Sequence, residues 1–199
     1  MIHINRTEEP GFWTEYCKKH PGIHYDDLQK TEEGRELRRA IRSYNISQQY
    51  GLCAYCCRSI ETGNSLNEHI KPKGLGKYAN LSMRYSNIIA SCKTEGENAT
   101  CSAAKKNQYD EMFVSPLEND CESHFAYYPN GEVVPQTTKG DYTIKILNLN
   151  TYRLREARKA CYQLCESYHD DEMVKTVFLQ PDENNQLQPH ADIMKYFFG

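Results

Sequence analysis

Between Cys53 and Lys106 the chain reads CAYCCRSIETGNSLNEHIKPKGLGKYANLSMRYSNIIASCKTEGENATCSAAKK, and the residues able to bind metal or move a proton recur there in one order. Cys53-Ala-Tyr-Cys56 can turn both sulfurs to one face, and Cys92 with Cys101 would complete four thiolates around a closed, structural Zn2+. The last pair is set wider than usual, so KTEGENAT must fold out as a loop while leaving both sulfurs in place; its Gly and Asn residues allow that. Cys57 competes as a ligand, but consecutive side chains diverge and Cys56 has the better spacing. A redox Cys-x-x-Cys is the other use of the motif; it would want a thioredoxin-like βαβ setting, which this pattern lacks, and no bound metal.

Inside that frame lie Glu68-His69 and, downstream, Asn87. Hydrolysis of a phosphodiester with one metal needs a base to deprotonate water, a cation to neutralise phosphate and leaving oxygen, and a group that steadies the base. His69 is the natural base, Glu68 offers a hard oxygen for Mg2+ or Mn2+, and Asn87 can bond across the intervening loop to fix His69. From Leu66 to Gln108 there are seven Lys or Arg against three Glu, although the whole chain carries a formal net charge of -3. A focused phosphate-binding face has that look, with Lys71, Lys73, Lys77, Lys105 and Lys106 as the expected contacts.

These residues need a scaffold. A short strand over Leu66 to Ile70 carries Glu68 and His69, an irregular loop follows through Pro72, Gly74 and Gly76, and Ile88-Ile89-Ala90 reads as a second strand opened by Asn87. A helix from Ser102 to about Asp110 follows Cys101. Upstream, residues 1–30 read as an irregular arm with a short helix around Phe12 to Lys19. Thr31 caps a helix whose Leu37, Ile41 and Tyr44 share a face and whose Arg35, Arg38, Arg39 and Arg42 read as a solvated face. Downstream, Pro129-Asn-Gly131 predicts a hairpin, YTIKILNLN a strand, and Asn150 or Thr151 the cap of a helix with Leu154, Ala157, Cys161, Leu164, Cys165 and Tyr168 on its buried stripe. Cys161 and Cys165 then read as core thiols, and Tyr196-Phe197-Phe198 as a segment that docks on the body or on another protein.

With 199 residues, 39% hydrophobic and 26% charged, one globular unit suffices. It divides into an N-terminal arm and helix (1–50), a nuclease core with hairpin extension (51–140) and a C-terminal helical segment and tail (141–199). No run approaches a membrane span, and MIHINRTEEPGF has no apolar signal core, so a cytoplasmic location is expected. Reducing conditions there favour thiolate ligation over disulfides for the nine cysteines.

The order Cys-x-x-Cys, Glu-His, Asn, Cys, Cys-x-x-x-Lys resembles the HNH endonucleases. Ile-x-Arg with Glu9-Pro10, GLCAYC, EHIKPK, SNIIASC, FVSPLENDCE and ILNLNTYRLREAR extend the resemblance, over most of the chain, to the HNH subunit of Septu-type antiphage systems, which also occurs in retron defence modules. The resemblance implies an α+β fold with a ββα-metal core, a four-cysteine zinc clasp and flanking helical extensions. It implies a metal-dependent phosphodiesterase in which His69 activates water, Asn87 steadies the site and Glu68 binds the catalytic ion. An ABC/SMC-like ATPase is the implied partner, with a reverse transcriptase and its RNA-DNA in the retron setting. One departure stands out: many relatives place His or Asn directly after the last zinc cysteine, whereas here Ser102 stands there, so Asn107, Asn98 or water would have to substitute. DNA is the expected substrate, with a tRNA or other RNA as the alternative. A zinc-stabilised adaptor with a vestigial site is the reading from a different class.

Overall fold

A computed structural model describes residues 1–6, 8–74, 76–168 and 170–199. Its centre is an antiparallel pair, β1 (Ser65–His69) and β2 (Ile88–Cys92), followed by a four-residue helix α3 (Ser102–Lys105). Ser65 pairs with Cys92 at one end and His69 with Ile88 at the other. Because side chains alternate along a strand, Ile88 and Ile89 face opposite sides of the sheet and bury into different clusters. Opposite partners share a face, so His69 goes with Ile88 and Glu68 with Ile89.

The Ile88 side is covered by N-terminal elements. Helix α1 (Gly11–Lys19) contributes Trp13 and Tyr16, a 3-10 turn at Tyr25–Lys30 contributes Tyr25 and Leu28, and α2 (Glu32–Gln48) contributes Leu37 and Ile41. Thr31 caps α2 through Gly34 N at 3.1 Å, and a side chain at Gly34 would run into the Leu28 carbonyl. The first thirty residues are therefore half of a core rather than a loose arm. Arg6 seals the join, its guanidinium donating to the carbonyls of Tyr85 and Ile88. The arginine face of α2 is only partly free: Arg35 and Arg39 pair with Glu32, and Arg42 donates to the carbonyls of Thr62 and Ser65.

The Ile89 side faces the larger cluster, which gathers Met1, Tyr55, Phe113, Leu147, Leu154 and Met194 from along the whole chain. The expected hairpin forms from β3 (Phe125–Tyr127) and β4 (Val133–Pro135), turning through Gly131 at φ +81°. A Cβ there would collide with the Arg155 carbonyl.

YTIKILNLN is not a strand. Its first six residues form the second half of α4 (Thr138–Leu147), which Thr137 caps through Gly140 N at 3.1 Å and Asn148 ends in the left-handed conformation. Burial of Thr143, Ile144, Ile146 and Leu147 outweighs the β-branched run's local preference. Thr151 caps α5 (Tyr152–Glu166), with Leu154 N as donor at 3.4 Å. Its buried stripe is Leu154, Arg158 and Cys165, while Leu164 is 48% exposed and Tyr168 lies outside. The buried Arg158 earns its place by donating to the carbonyls of Leu149 at 2.9 Å and Gly131 at 3.3 Å. Helices α6 (Asp171–Phe178) and α7 (Ala191–Phe198) close the structure, with Phe197 against Tyr162 at 4.8 Å between ring centroids and Tyr196 largely exposed. Among the described residues no helix is long and apolar enough to cross a membrane.

Candidate active site and metal centre

Each end of the β1–β2 pair carries one set of candidate residues. At the Ser65–Cys92 end, the sulfurs of Cys53, Cys56, Cys92 and Cys101 lie within 4.8 Å of one another and all four residues are buried. Cys53 and Cys101 approach to 3.8 Å between sulfurs, as do Cys56 and Cys92. A tetrahedral site with Zn–S bonds of about 2.3 Å sets neighbouring sulfurs roughly 3.8 Å apart, so the donor set fits that ion. Cys101 takes φ +56°, an uncommon backbone for a non-glycine residue, directly before α3. The KTEGENAT insert folds outward with Thr94 Oγ1 donating to Thr100 O at 3.0 Å. Cys57 is buried apart from the four and also has positive φ, +55°. Burial opposes ionisation at Cys53, yet hydrogen bonds from Cys101, Cys56 and Cys92 hold its thiolate well below the ordinary thiol range, while burial pushes Cys101 up. Four neighbouring thiols can all ionise together only around a cation that balances their charge, their protons passing to solvent.

At the other end the pleat turns Glu68 and His69 to opposite faces. Glu68 Oε1 accepts from Lys105 Nζ at 2.8 Å and from the Tyr55 hydroxyl at 3.3 Å. Lys105, one of the expected phosphate contacts, is fully buried and also donates to His69 O at 3.0 Å. Ser102 shares that face of α3, one turn earlier, and its hydroxyl is buried without a hydrogen-bond partner among the described residues. α3 is shorter than the expected helix, because Lys106 adopts φ +52° and ends it. Asn107 thus lies beyond the helix and is exposed, and the side chain of Asn98 lies outside the described residues.

On the opposite face, His69 Nε2 is 2.9 Å from the Ser82 carbonyl, and the Tyr25 ring meets the imidazole edge-on at 4.6 Å. A carbonyl can only accept, so Nε2 carries the hydrogen and Nδ1 keeps its lone pair. Burial lowers the His69 pKa to about 4, which leaves the ring neutral at neutral pH. Among the described residues Asn87 makes no hydrogen bond to the imidazole. Its Oδ1 accepts from Lys71 N at 2.8 Å while Nδ2 donates to Lys71 O at 3.0 Å and Leu81 O at 3.2 Å, clamping the loop that delivers Ser82 to His69.

The remaining lysines divide. Lys73 pairs with Asp26, Lys77 lies 3.7 Å from Glu111, and Lys71 sits over the rings of Tyr78 and Tyr109 at 5.5 and 5.4 Å. Lys106 is exposed. Sequence reasoning missed Tyr25, 44 residues before His69, and Tyr55 and Ser82, each 13 residues from the side chain it holds; no local pattern marks their role.

The chain matches no family model. It is 32% identical over 169 residues to the protein named as the HNH endonuclease of retron Vc95 in Vibrio cholerae serotype O1 biovar El Tor, covering 80% of this chain and 81% of that one. It is also 26% identical over 152 residues to the protein named as the HNH endonuclease of retron Ec83 in Escherichia coli. That alignment takes in 74% of this chain and 53% of the relative, about half its length.

Proposed function

The chain belongs to the HNH endonucleases that accompany retrons, and from that premise we propose that it hydrolyses phosphodiester bonds of nucleic acid at the His69–Ile88 end of the β1–β2 pair. The observation that carries the reading is the contact of His69 Nε2 with Ser82 O: a hydrogen on Nε2 spent there leaves Nδ1 as a proton acceptor on a neutral ring beside a carboxylate-bearing residue. In-line displacement sets attacking water and leaving oxygen on opposite sides of phosphorus. Opposed faces of one strand end suit that demand, with His69 on the side of the water and Glu68 on the side of the leaving oxygen.

The Glu68 carboxylate and the unpartnered Ser102 hydroxyl are the donors that would hold Mg2+ or Mn2+, which when bound neutralises charge on the phosphate and leaving group. Lys105, 2.8 Å away, holds the Glu68 carboxylate in place. Asn87 acts through the loop backbone, and Lys71, Lys73, Lys77 and Lys106 remain the proposed phosphate contacts around it. The ββα-metal core is β1, β2 and α3, and Zn2+ is the proposed occupant of the four cysteines, whose sulfur spacing supports it. Retron-named relatives support work in a defence complex. DNA as substrate, the ATPase partner, kinship with Septu-type subunits and a cytoplasmic location are proposed from the sequence motifs.

Cleavage of DNA and RNA should be measured with Mg2+ or Mn2+, with the ATPase partner present. His69→Ala is expected to lower it by at least about 100-fold, the usual weight of a general base, with metal content unchanged; undiminished cutting would reject His69 as the base. The adaptor reading is favoured by one observation, the Lys105–Glu68 pair in a shell where Ser102 replaces a stronger ligand. Partner binding by wild type and His69→Ala alike, with cleavage by neither, would decide for it.

A further inference from the structure

A cleft of about 410 Å³ opens at the clasp end of the sheet, away from His69, and is lined by Arg58, Asn64, Lys93, Glu95, Thr151 and Arg153 among others. It gathers three cations against one carboxylate in a chain whose net charge is -3. Only Lys93 is paired, with Glu95 at 3.5 Å; among the described residues neither Arg58 nor Arg153 has a hydrogen bond or ion pair from its guanidinium. Asn64 and Lys93 are joined across the strand ends by Lys93 N donating to Asn64 O at 2.9 Å, which makes this wall part of the sheet. Thr151 caps the fifteen-residue α5, and no acidic side chain stands in that helix's first turn to offset its positive end. Unpaired guanidinium groups converging on a concave, polar space suit a phosphate, which they can grip with two parallel hydrogen bonds.

We propose that this cleft binds a backbone phosphate of the nucleic-acid substrate, several nucleotides from the bond that is cut. The ligand's identity rests on the nuclease reading above. The distance follows from the register: Ser65 and His69 are four residues apart on β1, roughly 13 Å at about 3.3 Å per residue, or the axial rise of about four nucleotides in a duplex. Arg58 follows Cys57 directly and stands next to the clasp, so the deciding substitutions are at the exposed Lys93 and Arg153.

The test measures binding of labelled DNA and RNA oligonucleotides to the full, metal-loaded chain in a His69→Ala background, across a salt series. Adding Lys93→Glu and Arg153→Glu together is expected to weaken binding at least about 10-fold and to reduce the slope of log affinity against log salt by about one, since each neutralised phosphate contributes close to one unit. Metal content and melting temperature should stay as in the parent. Equal affinity and equal slope in parent and variant would overturn the proposal. So would stabilisation by inorganic phosphate that only the variant loses while oligonucleotide binding is the same in both, because the cleft would then take a small free anion. Failure of the wild-type chain to cut with the ATPase partner and Mg2+ or Mn2+ present, with oligonucleotide binding still sensitive to the two substitutions, would refute the nuclease reading and leave the cleft's assignment standing.

Discussion

The two ends of one five-residue strand pair are built on different principles. At the Ser65–Cys92 end, four like side chains converge, their sulfurs close enough together to hold one metal ion. At the His69–Ile88 end, each polar side chain is held by a different partner from elsewhere in the chain: Glu68 by Lys105 and Tyr55, His69 by Ser82 and Tyr25, Asn87 by Lys71 and Leu81. The clasp is a joint that organises the fold. The opposite end is a set of groups whose orientation is fixed one by one by separate partners.

The strongest way to break this contrast is to remove the metal. A chelator, or Cys56→Ala, is expected to abolish cooperative unfolding, since structural tetrathiolate sites contribute on the order of 10 kcal/mol to folding. Calorimetry with metal analysis checks it, and an unchanged melting transition after metal removal would make the clasp ornamental. Next in size is Lys105→Met. It leaves the Glu68 carboxylate buried without its cation, and breaking such a pair from one side costs about 3–5 kcal/mol. Adding Glu68→Gln should restore much of that stability in denaturant titrations without restoring any cleavage; if the double variant is no more stable than Lys105→Met, the pair does not hold the two elements as described.

The smallest effect is on pH dependence. Burial lowers both His69 and His190 to about 4, below the value of about 6.5 for an unfolded histidine. On acidification the unfolded chain therefore takes up protons first. The contribution is whole above about pH 6.5 and is lost progressively as pH falls towards 4. His190 holds φ +60°, a conformation that asparagine tolerates. His190→Asn should thus fold and show a shallower fall in melting temperature between neutral pH and about pH 5. Identical slopes would mean that His190 is not held neutral in the folded protein.

Local chemistry was legible where the interacting residues are near in sequence or identical in type. The Cys-x-x-Cys turn, the caps at Thr31 and Thr151 and the Gly131 hairpin all follow from geometry within a few residues. YTIKILNLN was misread as a strand because β-branched content is a weak preference, and the burial that overrode it comes from partners outside the segment. Lys105 read as a phosphate contact for a similar reason: nothing beside it in the chain announces a carboxylate 37 residues earlier.

Residue order alone thus specified which atoms could grip a metal, which imidazole could take a proton and in what succession they come, because ligand types and short turns are encoded by neighbours. Folding settled which face each group occupies, which nitrogen of His69 keeps its lone pair, and that Lys105 and Arg158 spend their charge indoors. Those outcomes depend on burial and on partners nine to 44 residues away, and no local pattern of residue types marks which two will meet.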